Sequence, residues 1–202
     1  MAIPVLILGQ SGSGKTYSLR NLPNDSYGLV ECEKTMLPFR GGKKFARTKG
    51  FAELRGIVRE YAEKVDVVVV DDFGYCVTDL FIHHIGDKDQ FAIYKAIAAE
   101  VYQTFEFFNG LRDGVIVYVT MHLDSDAFGN ITPKVMGKMV NEKIDLLGMV
   151  NVCILSEVVD GEHVFITDGK PPAKSCGMFE DQVMPNDLAL VDKGIREFIG
   201  ND

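Results

Sequence analysis

The sequence has few of the features that would place it in a membrane, in an oxidising compartment or around a structural metal. The longest candidates for an apolar run, Val65–Val70 and Val115–Val119, fall far short of the roughly 20 residues a bilayer crossing needs. No membrane association is expected. The four cysteines (Cys32, Cys76, Cys153 and Cys176) form no C-x-x-C pair and have no histidine at ligand spacing, against a disulfide framework and against a zinc site. A reduced, cytoplasmic setting is therefore expected. The start Met1-Ala2-Ile3-Pro4 has no basic stretch ahead of an apolar one, so no secretory leader is expected. Repeats, low-complexity stretches and linkers are also missing. With 202 residues, one domain over 1–202 is the simplest organisation.

What is there is an ordinary globular composition, 47% apolar and 25% charged. The net charge of −8 is spread unevenly. Between Lys34 and Lys49 stand six basic residues, including Lys43, Lys44 and Arg47, and no acidic one. An acidic chain is a poor nucleic-acid binder as a whole, but one basic loop can still hold a phosphate backbone. The competing reading is a solvated surface loop.

The chain alternates short buried strands with helical periods. Ile3–Leu8, Tyr27–Glu31, Val65–Val70 and Val115–Thr120 read as strands, the apolar ones buried on both faces. Helices are expected from Gly14 to about Leu22, over Phe51–Lys64, from about Asp87 to Leu111, and over Val135–Leu147 and Leu188–Ile199. Pro23 stops the first, and Asn186 or Asp187 caps the last. Lys34–Lys49 and Leu123–Pro133 read as loops. Val150–Val159 and His163–Thr167 flank Asp160-Gly161, the signature of a tight hairpin. The pattern predicts an α/β fold: a mostly parallel sheet flanked by helices, closed by an antiparallel hairpin.

One motif carries specific chemistry. Gly9-Gln10-Ser11-Gly12-Ser13-Gly14-Lys15-Thr16 satisfies G-x-x-x-x-G-K-[ST] after a buried strand and before a helical period. Glycines let successive N–H groups converge on phosphate oxygens, a lysine meets the β- and γ-phosphates, and a threonine hydroxyl ligates Mg²⁺. ATP with Mg²⁺ is the expected ligand. Val67–Val70 followed by Asp71 has the form of the strand whose acid holds the metal, with Asp72 orienting it or placing a water. The alternative is an Asp pair that only caps the strand. Glu33, at the end of the second strand, is the candidate base for the attacking water, and His122 a candidate sensor of the γ-phosphate. His83, His84 and His163 read as structural.

Taken in order, Gly9–Thr16, Val30-Glu31-Cys32-Glu33, Val67–Asp71, Val117–His122 and the hairpin resemble the RecA-like ATPases. More narrowly, Thr120-Met121-His122, Thr132–Lys138 and the tail from Pro172 to Leu188 resemble phage-encoded AAA-type nucleotide-binding proteins, among them the Sak group of single-strand annealing recombinases. The resemblance implies an oligomer that handles single-stranded DNA at the cost of ATP, in a bacterial host's cytoplasm. In that family Glu33 falls on the water-activating step and His122 on a sensor position often held by Gln. Lysines near the terminal hairpin reach a neighbour's γ-phosphate there, which points to Lys170 and Lys174. DNA would meet Asp124–Pro133 and the basic loop with Lys43, Lys44 and Arg47. Two rivals share the loop: a small-molecule kinase acting on a nucleoside-type acceptor, and a nucleotide-gated loader with little turnover.

Overall fold

The runs Ile3–Leu8 and Val67–Val70 are apolar on both faces of an extended chain, so each needs cover from two sides. The computed structural model, which describes residues 1–40, 45–86, 89–125, 131–134 and 144–200, supplies that cover. The protein is α/β, with a nine-stranded mixed sheet flanked by helices. Its strands are β1 (Ile3–Gly9), β2 (Tyr27–Glu31), β3 (Phe45–Arg47), β4 (Val67–Asp71), β5 (Ile116–Ser125), β6 (Ile131–Pro133), β7 (Val152–Val159), β8 (Glu162–Ile166) and β9 (Val183–Pro185). The order across the sheet is β3-β2-β4-β5-β1-β7-β8-β9, with β6 paired to the far end of β5. The strands from β3 to β7 run parallel, and β6, β8 and β9 pair antiparallel.

The strands' alternation sorts their side chains into two cores. Leu6, Leu8, Val68, Val70, Val117 and Val119 meet α1 (Phe51–Ala62), α2 (Gly74–His84) and α3 (Gln90–Asn109). Ile3, Val5, Ile7, Val67, Val69 and Ile116 face the other way, onto a 3-10 helix (Thr16–Asn21) and α4 (Leu188–Ile199). The segment after β1 thus packs on one face and α1 to α3 on the other. A cleft opens between them at the strands' carboxyl ends, where sheets of this kind bind ligands.

Several expectations are met closely. The hairpin turns on Asp160 (φ 52°) and Gly161 (φ 86°), both left-handed as a two-residue turn requires. Asp187 caps α4 by accepting from the Ala189 amide at 3.0 Å, which leaves the Asn186 side chain for another task. Among the described residues no helix is long and apolar enough to cross a membrane.

Others are corrected. The helix after the loop is a short 3-10 segment, because Pro23 forces Leu22 into an extended conformation (ψ 130°) one turn too soon. Lys34–Lys49 is not all loop: Phe45–Arg47 adds to the sheet edge beside β2. Leu123–Pro133 begins and ends in a hairpin, β5 running on to Ser125 against β6. The helix expected over Val135–Leu147 lies outside the described residues as far as 143, and 144–147 are not helical. Helix α2, with mixed polar and apolar residues and no period to announce it, was not expected. The expectation that the Asp71 strand adjoins the loop strand and the His122 strand lies two places away is reversed: β5, bearing His122, is the direct neighbour of β1, and β4, bearing Asp71, lies one strand further out.

Candidate functional site

Strand β1 delivers the chain to the sheet's carboxyl edge at Gly9. A Cβ there would sit 2.6 Å from the Ser156 carbonyl oxygen, so the residue must be glycine for the loop to keep this path. Gly12 (φ 79°) and Gly14 (φ 102°) take conformations that favour glycine. Among the described residues the amides of Gly12, Gly14 and Lys15 donate to no acceptor, and the buried Ser13 hydroxyl has no partner. Three main-chain donors and a hydroxyl are therefore gathered in one turn without an acceptor, which is what an anion-binding loop needs.

Lys15 is only 6% exposed, and its Nζ donates to the carbonyls of Gly9 (2.9 Å) and Gln10 (3.0 Å). Burial lowers its pKa, with the charges of Asp72 and Asp71 acting the other way. The ammonium is thus held by neutral oxygens of its own loop, weak partners that a phosphate would outcompete.

Opposite stands a rigid acid. Thr16 Oγ1 donates to Asp71 Oδ2 at 2.9 Å and Thr120 Oγ1 to Asp71 Oδ1 at 2.6 Å, while Thr120 Oγ1 accepts from the Asp72 amide at 2.8 Å. Burial, then the neighbouring Asp72, pushes Asp71 up to about 6, against the two threonine hydrogen bonds and Lys15. The Thr16–Asp71 spacing fits Mg²⁺: adjacent corners of an octahedron with bonds of about 2.0–2.1 Å lie about 2.9 Å apart.

The raised carboxyl has a stability consequence. A folded pKa above the ordinary value of 3.8 means the native state holds this proton more tightly, so the stability it contributes is lost as pH rises from about 4 through about 6. Without metal or nucleotide, Asp71→Asn is expected to stabilise the protein at pH 7 by up to about 3 kcal/mol, and not at pH 4. Thermal melts at the two pH values check this; equal shifts at both would show that Asp71 is not strained by its charge.

The loop opens onto a cavity of about 600 Å³, lined by Ser11, Gly12, Gly14, Lys15 and Thr16 together with Asp72 and His122. Asp72 adopts a left-handed conformation (φ 58°), and burial, the largest influence on it, raises its pKa against the pull of Lys15. His122 Nε2 lies 3.6 Å from Asp72 Oδ1. Burial, then the cations Lys15 and Lys134, lowers the His122 pKa, so the ring is neutral at pH 7.

The remaining candidates fall elsewhere. Glu33 does not line this cavity; its carboxylate accepts from Lys49 Nζ at 2.6 Å and from the Lys34 amide at 2.7 Å, and those two bonds lower its pKa. Arg47 turns inward, its Nε 2.8 Å from Glu31 Oε2 and its guanidinium over the Phe45 ring. Glu31 is buried and Arg47 is 42% exposed. Arg47→Ala is expected to cost about 2–3 kcal/mol by stranding a buried carboxylate, somewhat under the range for fully buried pairs. Denaturant unfolding measures it, and a loss below 0.5 kcal/mol would return Arg47 to the solvent. Lys43 and Lys44 lie outside the described residues. Lys170 pairs with Glu157 at the surface (2.6 Å), and Lys174 Nζ donates to the Leu147 carbonyl at 2.5 Å.

Three residues from the far end of the chain close the loop from behind. The Ser13 carbonyl accepts from Ser156 Oγ (2.9 Å) and from His163 Nδ1 (3.0 Å), which must carry its proton to do so. Asn186 Nδ2 donates to Ser156 Oγ at 3.2 Å. His163, expected to be structural only, also lines the cavity. No local pattern marks these residues, since the partners they meet lie 30 to 150 positions away. Neither protein-family models nor curated proteins match this chain.

Proposed function

We propose that the protein is a P-loop nucleoside triphosphatase that binds ATP with Mg²⁺ and hydrolyses it. One observation carries the reading: three unpartnered amides and a buried ammonium share a cavity wall with Thr16, whose hydroxyl donates to the buried Asp71 carboxylate just behind that wall. The Gly12, Gly14 and Lys15 amides hold the phosphate chain, and Lys15 exchanges the Gly9 and Gln10 carbonyls for phosphate oxygens. Thr16 and Asp71 hold Mg²⁺, which when bound offsets the charge on the phosphate oxygens. Asp72 faces the cavity beside His122 and would accept the proton of the attacking water. Neutral His122 next to it orients that water or senses the γ-phosphate. Glu33, tied to Lys49 outside the lining, is the weaker candidate for the base.

The strand order supports the RecA-like version of this reading, because a γ-phosphate sensor has to stand beside the loop, and β5 puts His122 level with Gly9. Action on single-stranded DNA by a homo-oligomer is proposed from the resemblance to phage RecA-like proteins. Of the two lysines that would act on a neighbouring subunit, Lys170 is better placed, since an exposed ion pair opens at a cost of about 1 kcal/mol or less. A kinase is less well supported: Lys15 is the only Lys or Arg lining the cavity among the described residues, whereas phosphoryl transfer under a lid calls for several cations. Phosphate release with Mg²⁺, with and without single-stranded DNA, tests the proposal. Stimulation by DNA supports the motor reading, and binding without turnover supports a loader; transfer to a nucleoside without phosphate release would overturn the hydrolase.

A further inference from the structure

Part of the cavity's lining is not used by the phosphate reading. Tyr17 follows Thr16 directly and lines the cavity with Met36, Pro38 and His163. Its ring is held in place. The Arg20 guanidinium lies 4.2 Å from its centroid, and Arg20 Nη1 donates to the carbonyls of Asn186 (2.6 Å) and Tyr17 (3.2 Å). His163 meets it at a 48° tilt, 6.1 Å between centroids. Even so braced, Tyr17 is 37% exposed, and Met36 in the same lining is 92% exposed. An aromatic ring one residue past the phosphate loop and a flexible thioether, both partly bare, line the same cavity as that loop. Leaving such apolar surface in water costs free energy that a flat aromatic ligand recovers.

We infer that Tyr17 is the stacking platform for the base of a nucleoside triphosphate, with Met36 folding over it. The inference rests on the phosphate-loop reading above, since the triphosphate anchors the base here. Stacking reads area, not edges, and among the described residues Asp72 is the one carboxylate in the cavity lining, where no amide side chain stands. Purine triphosphates therefore bind alike and tighter than pyrimidine ones.

Calorimetry with Mg²⁺ and four probes (ATP, GTP, UTP and inorganic tripolyphosphate) tests this. Tyr17→Ala is expected to weaken ATP by about 5- to 150-fold, the worth of one base stacked on an aromatic ring, and tripolyphosphate by less than about twofold. Tyr17→Phe keeps the ring and is expected to keep ATP affinity. Met36→Ala, at a position too exposed to affect folding, is expected to weaken ATP several-fold and to leave tripolyphosphate unchanged. Equal losses for ATP and tripolyphosphate in Tyr17→Ala, or no loss for either, would overturn the platform while the phosphate loop stands. So would wild-type protein that binds UTP as tightly as ATP. Wild-type protein that binds neither ATP nor tripolyphosphate removes both readings.

Discussion

Lys15→Ala is expected to lose ATP binding by about 10²- to 10⁴-fold, the equivalent of two charge-assisted hydrogen bonds to phosphate oxygens at about 1.5–3 kcal/mol each. The effect is large because the ammonium is already desolvated and bound only to the Gly9 and Gln10 carbonyls, so little is given up when phosphate arrives. Folding should change much less. The variant sheds the cost of burying a cation and loses its attraction to Asp71 and Asp72, two effects of opposite sign. Calorimetry beside a thermal melt separates binding from folding. A folded variant with undiminished ATP affinity would remove the phosphate-binding assignment, and with it the metal and hydrolysis proposals.

The second large effect concerns hydrolysis. Asp72→Asn is expected to lower kcat by about 10²- to 10⁴-fold, the usual contribution of a positioned general base, with ATP affinity within about threefold of wild type. Glu33→Gln is expected to leave kcat within about threefold. The contrast follows from placement: Asp72 lines the cavity beside His122, whereas both Glu33 oxygens are occupied by Lys49 and the Lys34 amide. The reverse outcome, a fast Asp72→Asn and a dead Glu33→Gln, would mean that Lys49 releases Glu33 once nucleotide binds. It would return the base to the second strand.

The two acids show where reading the chain succeeds and where it stops. Asp71 is legible because four valines followed by a carboxylate can hardly be anything but the end of a buried strand. Which strand borders β1 is not legible, because strand order depends on how crossovers pack, and residues within a strand say nothing of their neighbours. The exchange of β4 and β5 followed from that. Tyr17 was visible as a residue but not as a bare ring, and the 3-10 geometry that presents it arises from a conflict between the loop and Pro23. The basic run between Lys34 and Lys49 looked like a single patch. Its members Arg47 and Lys49 turn out to be spent on Glu31 and Glu33 at the end of β2.

By itself the sequence determined the loop Gly9–Thr16, the apolar strands, the tight hairpin and the closing helix. Each is written in contiguous residues whose backbone preferences and spacing act locally. Only the tertiary structure decided that Thr120 braces Asp71, that Asp72 rather than Glu33 lines the cavity, and that Ser156, His163 and Asn186 hold the loop from behind. Those contacts join residues 30 to 150 positions apart, and the sheet brings them together because burying both faces of its strands leaves their carboxyl ends at one edge.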